Sequence, residues 1–107
     1  MTDSLKQRVA ELSKHKIDLN MQRKLINEID EEICLLLAER QEATLKVGIY
    51  KAQKNLGSED SKREQQQNKL LEKLGMRYNL SDDFLIEVWN CIRTESKQMH
   101  EIVKRLL

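Results

Sequence analysis

Five cations, Arg23, Arg40, Lys51, Arg63 and Arg93, stand on or beside helical seams where apolar side chains are usual. Arg40 is the clearest case. Ile26, Ile29, Ile33, Leu36, Ala43, Val47 and Tyr50 step by threes and fours, which marks the apolar seam of one amphipathic helix. The step from Leu36 to Ala43 needs one more apolar residue, and Arg40 fills the place. A guanidinium in a buried stripe must be paired or must bind something. A Glu across a helix–helix seam would satisfy it as well as a ligand would. Lys51 shares the face of Arg40 and Val47, although a lone lysine is more often a solvated one. Helical steps back from Leu74 and Leu70 reach Gln67 and Arg63, so a second cation turns inward. Arg93, Ser96 and His100 share a third face and suggest the wall of a polar pocket. Several cations lining a helical pocket suit a small polyanion, most naturally a dicarboxylate held by arginine forks. The spacing shows no metal-ligand motif, no Gly-rich phosphate loop and no Ser/His/Asp or Cys/His arrangement, so neither metal nor cofactor is expected.

The element that carries Arg23 and Arg40 runs from about Met21 to Lys54 and would be ~50 Å long at ~1.5 Å per residue. A compact chain of 107 residues has a radius of gyration of only ~13 Å. Arg23 and Arg40 would lie ~25 Å apart on that helix, too far to serve one small site from one chain. Two such helices packed side by side in a homodimer resolve both difficulties.

Composition agrees with an all-α chain of one domain. There is no proline, glycine occurs three times, and 35% of residues are charged, with Leu, Glu, Lys, Gln and Arg supplying helix propensity. Aromatics make up 4%, so the core is expected to be aliphatic and thin, and association to complete it. A net charge of +1 without an aromatic-studded basic stripe argues against a nucleic-acid binder. No apolar run suits a membrane span, and MTDSLKQRVAEL lacks the apolar core of a signal peptide. The expected location is the cytoplasm, with Cys34 and Cys91 reduced and half-buried in helices.

Residues 1–20 read as an N-terminal extension, a weak helix near 3–14 followed by a break or a frayed lead-in through SKHKID, and residues 21–107 as the main helical domain. His15 is expected to be solvated. Asp18 or Asn20 can cap the long helix. Gly48 inside that helix weakens it by ~1 kcal/mol relative to Ala; it either marks close approach of another backbone or a ligand or is simply tolerated, and its place between Arg40 and Lys51 favours close approach. NLGSED, 55–60, is the turn, and Ser61 with Glu64 forms a capping-box pattern for the second helix. That helix is expected to end near Leu74, with Gly75 as a left-handed cap. Ser81 caps the third helix, flanked by a Leu80–Leu85 staple and favoured by Asp82 and Asp83 at its positive end. Its stripe is Leu85, Val88, Ile92, Met99, Val103 and Leu106, interrupted by Ser96, with Trp89 expected in the core.

These residues together resemble a known family. Arg23 with IDEEI, LLLAER ending at Arg40, VGIYK ending at Lys51, EDSKRE over 59–64 and ES at 95–96 look like the all-helical chorismate mutases, in order over roughly residues 21–105. The resemblance implies three helices per chain, one long and two shorter, in an intertwined homodimer whose active sites each take one arginine from the partner. It implies the rearrangement of chorismate to prephenate, a step of aromatic amino-acid biosynthesis that needs no nucleophile and no proton transfer. By position, Arg40 and the partner's Arg23 would clamp the carboxylates, and Lys51 would serve the ether oxygen and a carboxylate. Arg63 and Glu64 would sit by the ring hydroxyl, Asp60 would act mainly through its backbone, and Ser96 would help hold a carboxylate. Val47 would line the pocket.

Two positions depart from the family pattern. Where Gln or Glu commonly donates to the ether oxygen, this chain has His100, which implies a rate sensitive to pH between 5 and 8. Where an apolar residue usually lines the pocket, Arg93 stands, either adding a carboxylate contact or turning outward to pair with a Glu. They leave room for an isochorismate pyruvate lyase or an amino-chorismate mutase on the same frame. A reading from another class is a non-catalytic helical dimerisation or regulatory module, in which Arg40 and Lys51 would tolerate alanine.

Overall fold

The computed structural model describes residues 2–57 and 60–107, with side chains from residue 5 onward. Its elements are α1 (Thr2–Leu12), α2 (Leu19–Gln53), α3 (Ser61–Tyr78) and α4 (Asp82–Leu106). Among the described residues there is no strand, so the chain is all-helical. It has four helices rather than the expected three: to the three of the main domain is added the N-terminal helix anticipated near 3–14, which runs Thr2–Leu12 and ends before SKHKID. The break after it falls where apolar periodicity fails. Asp18 then starts α2, its Oδ1 accepting from the Met21 N–H at 3.1 Å.

The chain divides into two compact units, Met1–Ala38 and Glu39–Leu107. In the first, every described side chain is exposed. Ile26, Ile29, Ile33 and Leu36 are 45–62% exposed, so the apolar seam lies open in the single chain. Cys34, in this unit, and Cys91, in the other, are exposed free thiols. They are therefore not half-buried as the helical pattern suggested: residues beside a seam stay open when one chain does not cover it.

The second unit holds the end of α2 together with α3 and α4. Asn55, with φ at 55°, closes α2; the Leu56 N–H donates to Lys51 O at 2.7 Å and the Asn55 N–H to Ala52 O at 3.2 Å, a Schellman arrangement. Ser58 and Glu59, inside the expected turn, lie outside the described residues. α3 is capped by Asp60, not by the Ser61–Glu64 box: Asp60 Oδ1 accepts from the Arg63 N–H at 3.0 Å. A carboxylate one residue earlier meets the positive helix end better than a hydroxyl does.

Gly75 also differs from expectation. α3 continues past it to Tyr78, and Asn79 takes the left-handed position, with φ 56° and ψ 48°. The Gly75 carbonyl accepts from the Leu80 N–H at 2.9 Å, and a Cβ on Gly75 would lie 2.9 Å from Leu80 O and 3.0 Å from Asp82 Oδ1. The glycine lets the turn into α4 fold back over the helix. Gly75→Ala is therefore expected to destabilise the protein by about 1–3 kcal/mol, the usual range for overpacking, despite the better helix propensity of alanine. Thermal or urea unfolding checks this, with activity per folded molecule unchanged.

Ser81 caps α4, its Oγ accepting from the Phe84 N–H at 3.5 Å. Leu71, Leu85 and Val103 are the buried apolar side chains among the described residues, at 3%, 6% and 8% exposed. The core is thin and aliphatic; Trp89, Val88, Ile92 and Met99 are half-buried around it.

Candidate functional site

A cavity of about 270 Å³ opens in the second unit between the end of α2 and the helices α3 and α4. α2 contributes Arg40, Ala43, Thr44, Val47 and Lys51 to its walls. From α3 and its cap come Asp60, Arg63, Glu64 and Gln67, and from α4 Arg93, Ser96, Lys97 and His100. Every site residue anticipated from sequence within this unit therefore faces one cavity. Arg23 belongs to the first unit and is exposed.

The guanidinium of Arg40 is half-buried and donates from Nη1 to Ser96 Oγ at 3.3 Å, while the Ser96 hydroxyl donates to Ile92 O at 3.1 Å. Ser96 thus anchors Arg40 and has its own hydrogen committed to the backbone. The Arg40 pKa is lowered, first by burial and then by the positive charges of Arg63 and Arg93. Cations close enough to lower the Arg40 pKa make a field in which an anion is favoured.

Glu64 offers one acidic oxygen set to the same wall, and Lys97 takes it: Nζ to Oε1 is 2.7 Å. This hydrogen bond holds the Glu64 carboxyl below its ordinary range, with the charges of Lys97 and Arg93 adding to it, against partial burial and Asp60. A depressed carboxyl keeps its contribution above its unfolded pKa and loses it as pH falls through the folded one. The pair is thus intact at neutral pH.

Arg93 does not turn outward to a Glu. It is buried, 8% exposed, and donates from Nη1 to Asn68 Oδ1 at 2.9 Å and from Nη2 to Asn90 Oδ1 at 2.6 Å. His100 is fixed from two sides. Its Nε2 lies 3.0 Å from Thr44 O, and its Cδ2 would be 2.8 Å from a Cβ on Gly48. A close approach does exist at Gly48, but it is made by this imidazole, a side chain of the same chain, rather than by another backbone or a ligand. A carbonyl only accepts, so Nε2 carries the hydrogen. Nδ1 is buried without a partner in the structure.

Lys97, Thr44, Asn68 and Asn90 escaped the sequence reading, which names Gln67 only as a step towards Arg63. Gln67 stands on the face that led to Arg63, and Lys97 lies one turn after Arg93, so a face-by-face inspection could have found both. The Glu64–Lys97, Arg93–Asn68 and His100–Thr44 contacts join distant segments, and no local spacing announces them.

Comparison with known proteins bears on this geometry. A family model described as chorismate mutase type II matches residues 22–101, more than half of the chain. A relative from Buchnera aphidicola subsp. Acyrthosiphon pisum (strain APS), named bifunctional chorismate mutase/prephenate dehydratase, is 35% identical over 71 residues. The match covers 66% of this chain and 18% of that protein, so the chain spans less than a fifth of the relative's length.

Proposed function

The chain belongs to the chorismate mutase type II family, and we propose that it is itself a chorismate mutase, converting chorismate to prephenate in aromatic amino-acid biosynthesis. The observation that carries this reading is the convergence of Arg40, Lys51, Arg63 and Arg93 on one cavity whose own carboxylates are already engaged, Glu64 by Lys97 and Asp60 as the cap of α3. Such a site has charge to spare for a small dianion. Among the described residues no helix is long and apolar enough to cross a membrane, which accords with a cytoplasmic enzyme.

The rearrangement is intramolecular: the ether C–O bond breaks while a C–C bond forms, and no atom is gained or lost. The protein must hold a flexible dianion in its reactive chair and stabilise charge developing on the ether oxygen. Arg40, braced by Ser96, grips one carboxylate. The second carboxylate is met by Arg23 of a partner subunit, since Arg23 is exposed and the open seam of Ile26, Ile29, Ile33 and Leu36 gives two copies an apolar face to share. Lys51 serves the ether oxygen and a carboxylate. Arg63 and Glu64 flank the ring hydroxyl. Asp60, whose carboxylate is engaged as a cap, contributes through its backbone, and Val47 supplies an apolar wall.

His100 takes the place of the ether-oxygen donor, and its surroundings decide the form that can act. The neutral ring has a single N–H, directed at Thr44 O; its other nitrogen, Nδ1, is then only an acceptor. Imidazolium carries a hydrogen on both. Only a ring with hydrogen on both nitrogens supplies that donor, so kcat/KM should fall as pH rises from 5 to 8. In His100→Gln, which donates at any pH, this fall should vanish. A wild-type profile flat over that interval contradicts the role given to His100.

Arg93 and His100 favour a second reading, an isochorismate pyruvate lyase or amino-chorismate mutase on the same frame. Initial rates with chorismate, isochorismate and amino-substituted chorismate separate them. The mutase reading expects the highest kcat/KM with chorismate and no release of pyruvate. Pyruvate release from isochorismate at a higher kcat/KM would replace it with the lyase.

A further inference from the structure

Arg93 is the buried charged side chain among the described residues, and it lies on the cavity wall. Desolvating a cation is costly unless an anion compensates it, which is why buried guanidinium groups usually hold carboxylates. Here both hydrogen bonds from the fork end on neutral amide oxygens, Asn68 Oδ1 at 2.9 Å and Asn90 Oδ1 at 2.6 Å. The amides fix the direction of the fork but leave its charge in place. A guanidinium has five N–H donors, and these two bonds leave three for another acceptor. The carboxylates on the same cavity make their hydrogen bonds elsewhere: Glu64, which also feels the charge of Arg93, pairs with Lys97 at 2.7 Å, and Asp60 caps α3 through the Arg63 N–H.

We propose that Asn68 and Asn90 are positioning residues that present Arg93, still fully charged, as an additional carboxylate anchor of the cavity. The inference rests on reading the cavity as the site of a chorismate-like dianion. The anchor sharpens selectivity for dicarboxylates over ligands with one acid group. Aspartate at 68 or 90 would brace the same fork and cancel the charge that the ligand needs. Neutral amides do the first without the second.

Asn68→Asp tests this, since it keeps the shape and places a carboxylate against Nη1. KM for chorismate should rise about tenfold or more while kcat stays within about threefold, the pattern of lost uniform binding. The ligand-free melting temperature should hold or rise, which a merely structural role for Asn68 would not produce. In an Arg93→Met background the same substitution should leave KM unchanged, because it acts through Arg93. Malonate gives a readout free of turnover: it should raise the melting temperature of the wild type and much less that of Asn68→Asp. Malonate protection that is absent, or equal in both proteins, together with a KM within about twofold of wild type, overturns the proposal. An equal KM rise in the Arg93→Met background also overturns it. Malonate protection lost in Asn68→Asp, with no turnover of chorismate by the wild type, upholds the anchor and rejects the mutase reading alone.

Discussion

Lys51→Ala is expected to lower kcat/KM at least ~10²-fold, most of it in kcat, as does removal of an oxyanion donor. Lys51 stands in the last turn of α2, half-buried at the cavity. Its backbone is fixed by the Leu56 N–H, which donates to Lys51 O at 2.7 Å. The backbone that carries this side chain on the cavity wall is thus held by a closed helix end. In the ground state the ether oxygen carries little charge; in the transition state the breaking C–O bond loads it. A fixed cation there favours the transition state over the substrate, which is what raises kcat. The substitution also removes a favourable charge from a helix C-terminus, worth about 0.3–1 kcal/mol. Melting temperatures would separate that small loss from the kinetic one. A fall in kcat/KM smaller than about tenfold would leave Lys51 a solvated lysine.

Arg23→Ala should be almost as damaging, and its defect should be repaired by a second, differently defective chain. If each site combines Arg40 and Lys51 of one subunit with Arg23 of the other, Arg23→Ala and Lys51→Ala homodimers both fail at both sites. A mixed dimer has one site that lacks both residues and one that lacks neither. Random pairing makes half the dimers mixed, so unfolding the two variants together and refolding them should restore about a quarter of wild-type activity. The physical basis is the first unit, where the described side chains are all exposed and Ile26, Ile29, Ile33 and Leu36 form an apolar stripe that their own chain leaves open. No recovery on mixing, from two variants that each refold, would exclude a shared site.

The parts of this molecule that sequence discloses are those governed by local period. The α2 seam and its interruption at Arg40 are visible because apolar residues recur every three to four positions and a charge among them is conspicuous. The face shared by Arg93, Ser96 and His100 is visible for the same reason, and all three line the cavity. Terminal signals are less secure. Asp60 and Ser61 are both good caps one residue apart, and the carboxylate won. Gly75 fits a left-handed cap or a close approach equally well on paper, and only the return of the Leu80 carbonyl over the helix decides it. The short pattern of Leu5, Val9 and Leu12 is enough to mark α1, which forms a helix with those side chains exposed. What sequence conceals is pairing between distant segments. Nothing near Arg93 announces Asn68, and nothing near His100 announces Thr44, although these contacts direct the Arg93 fork and set the tautomer of His100, the two residues that depart from the family pattern.

The fate of chorismate mixed with the purified protein tests the central claim most directly. Its ultraviolet absorbance is followed against a protein-free control and the product is identified at completion. The account predicts first-order loss well above the control, with prephenate as the sole product. Loss no faster than the control, or a product containing free pyruvate, would contradict it.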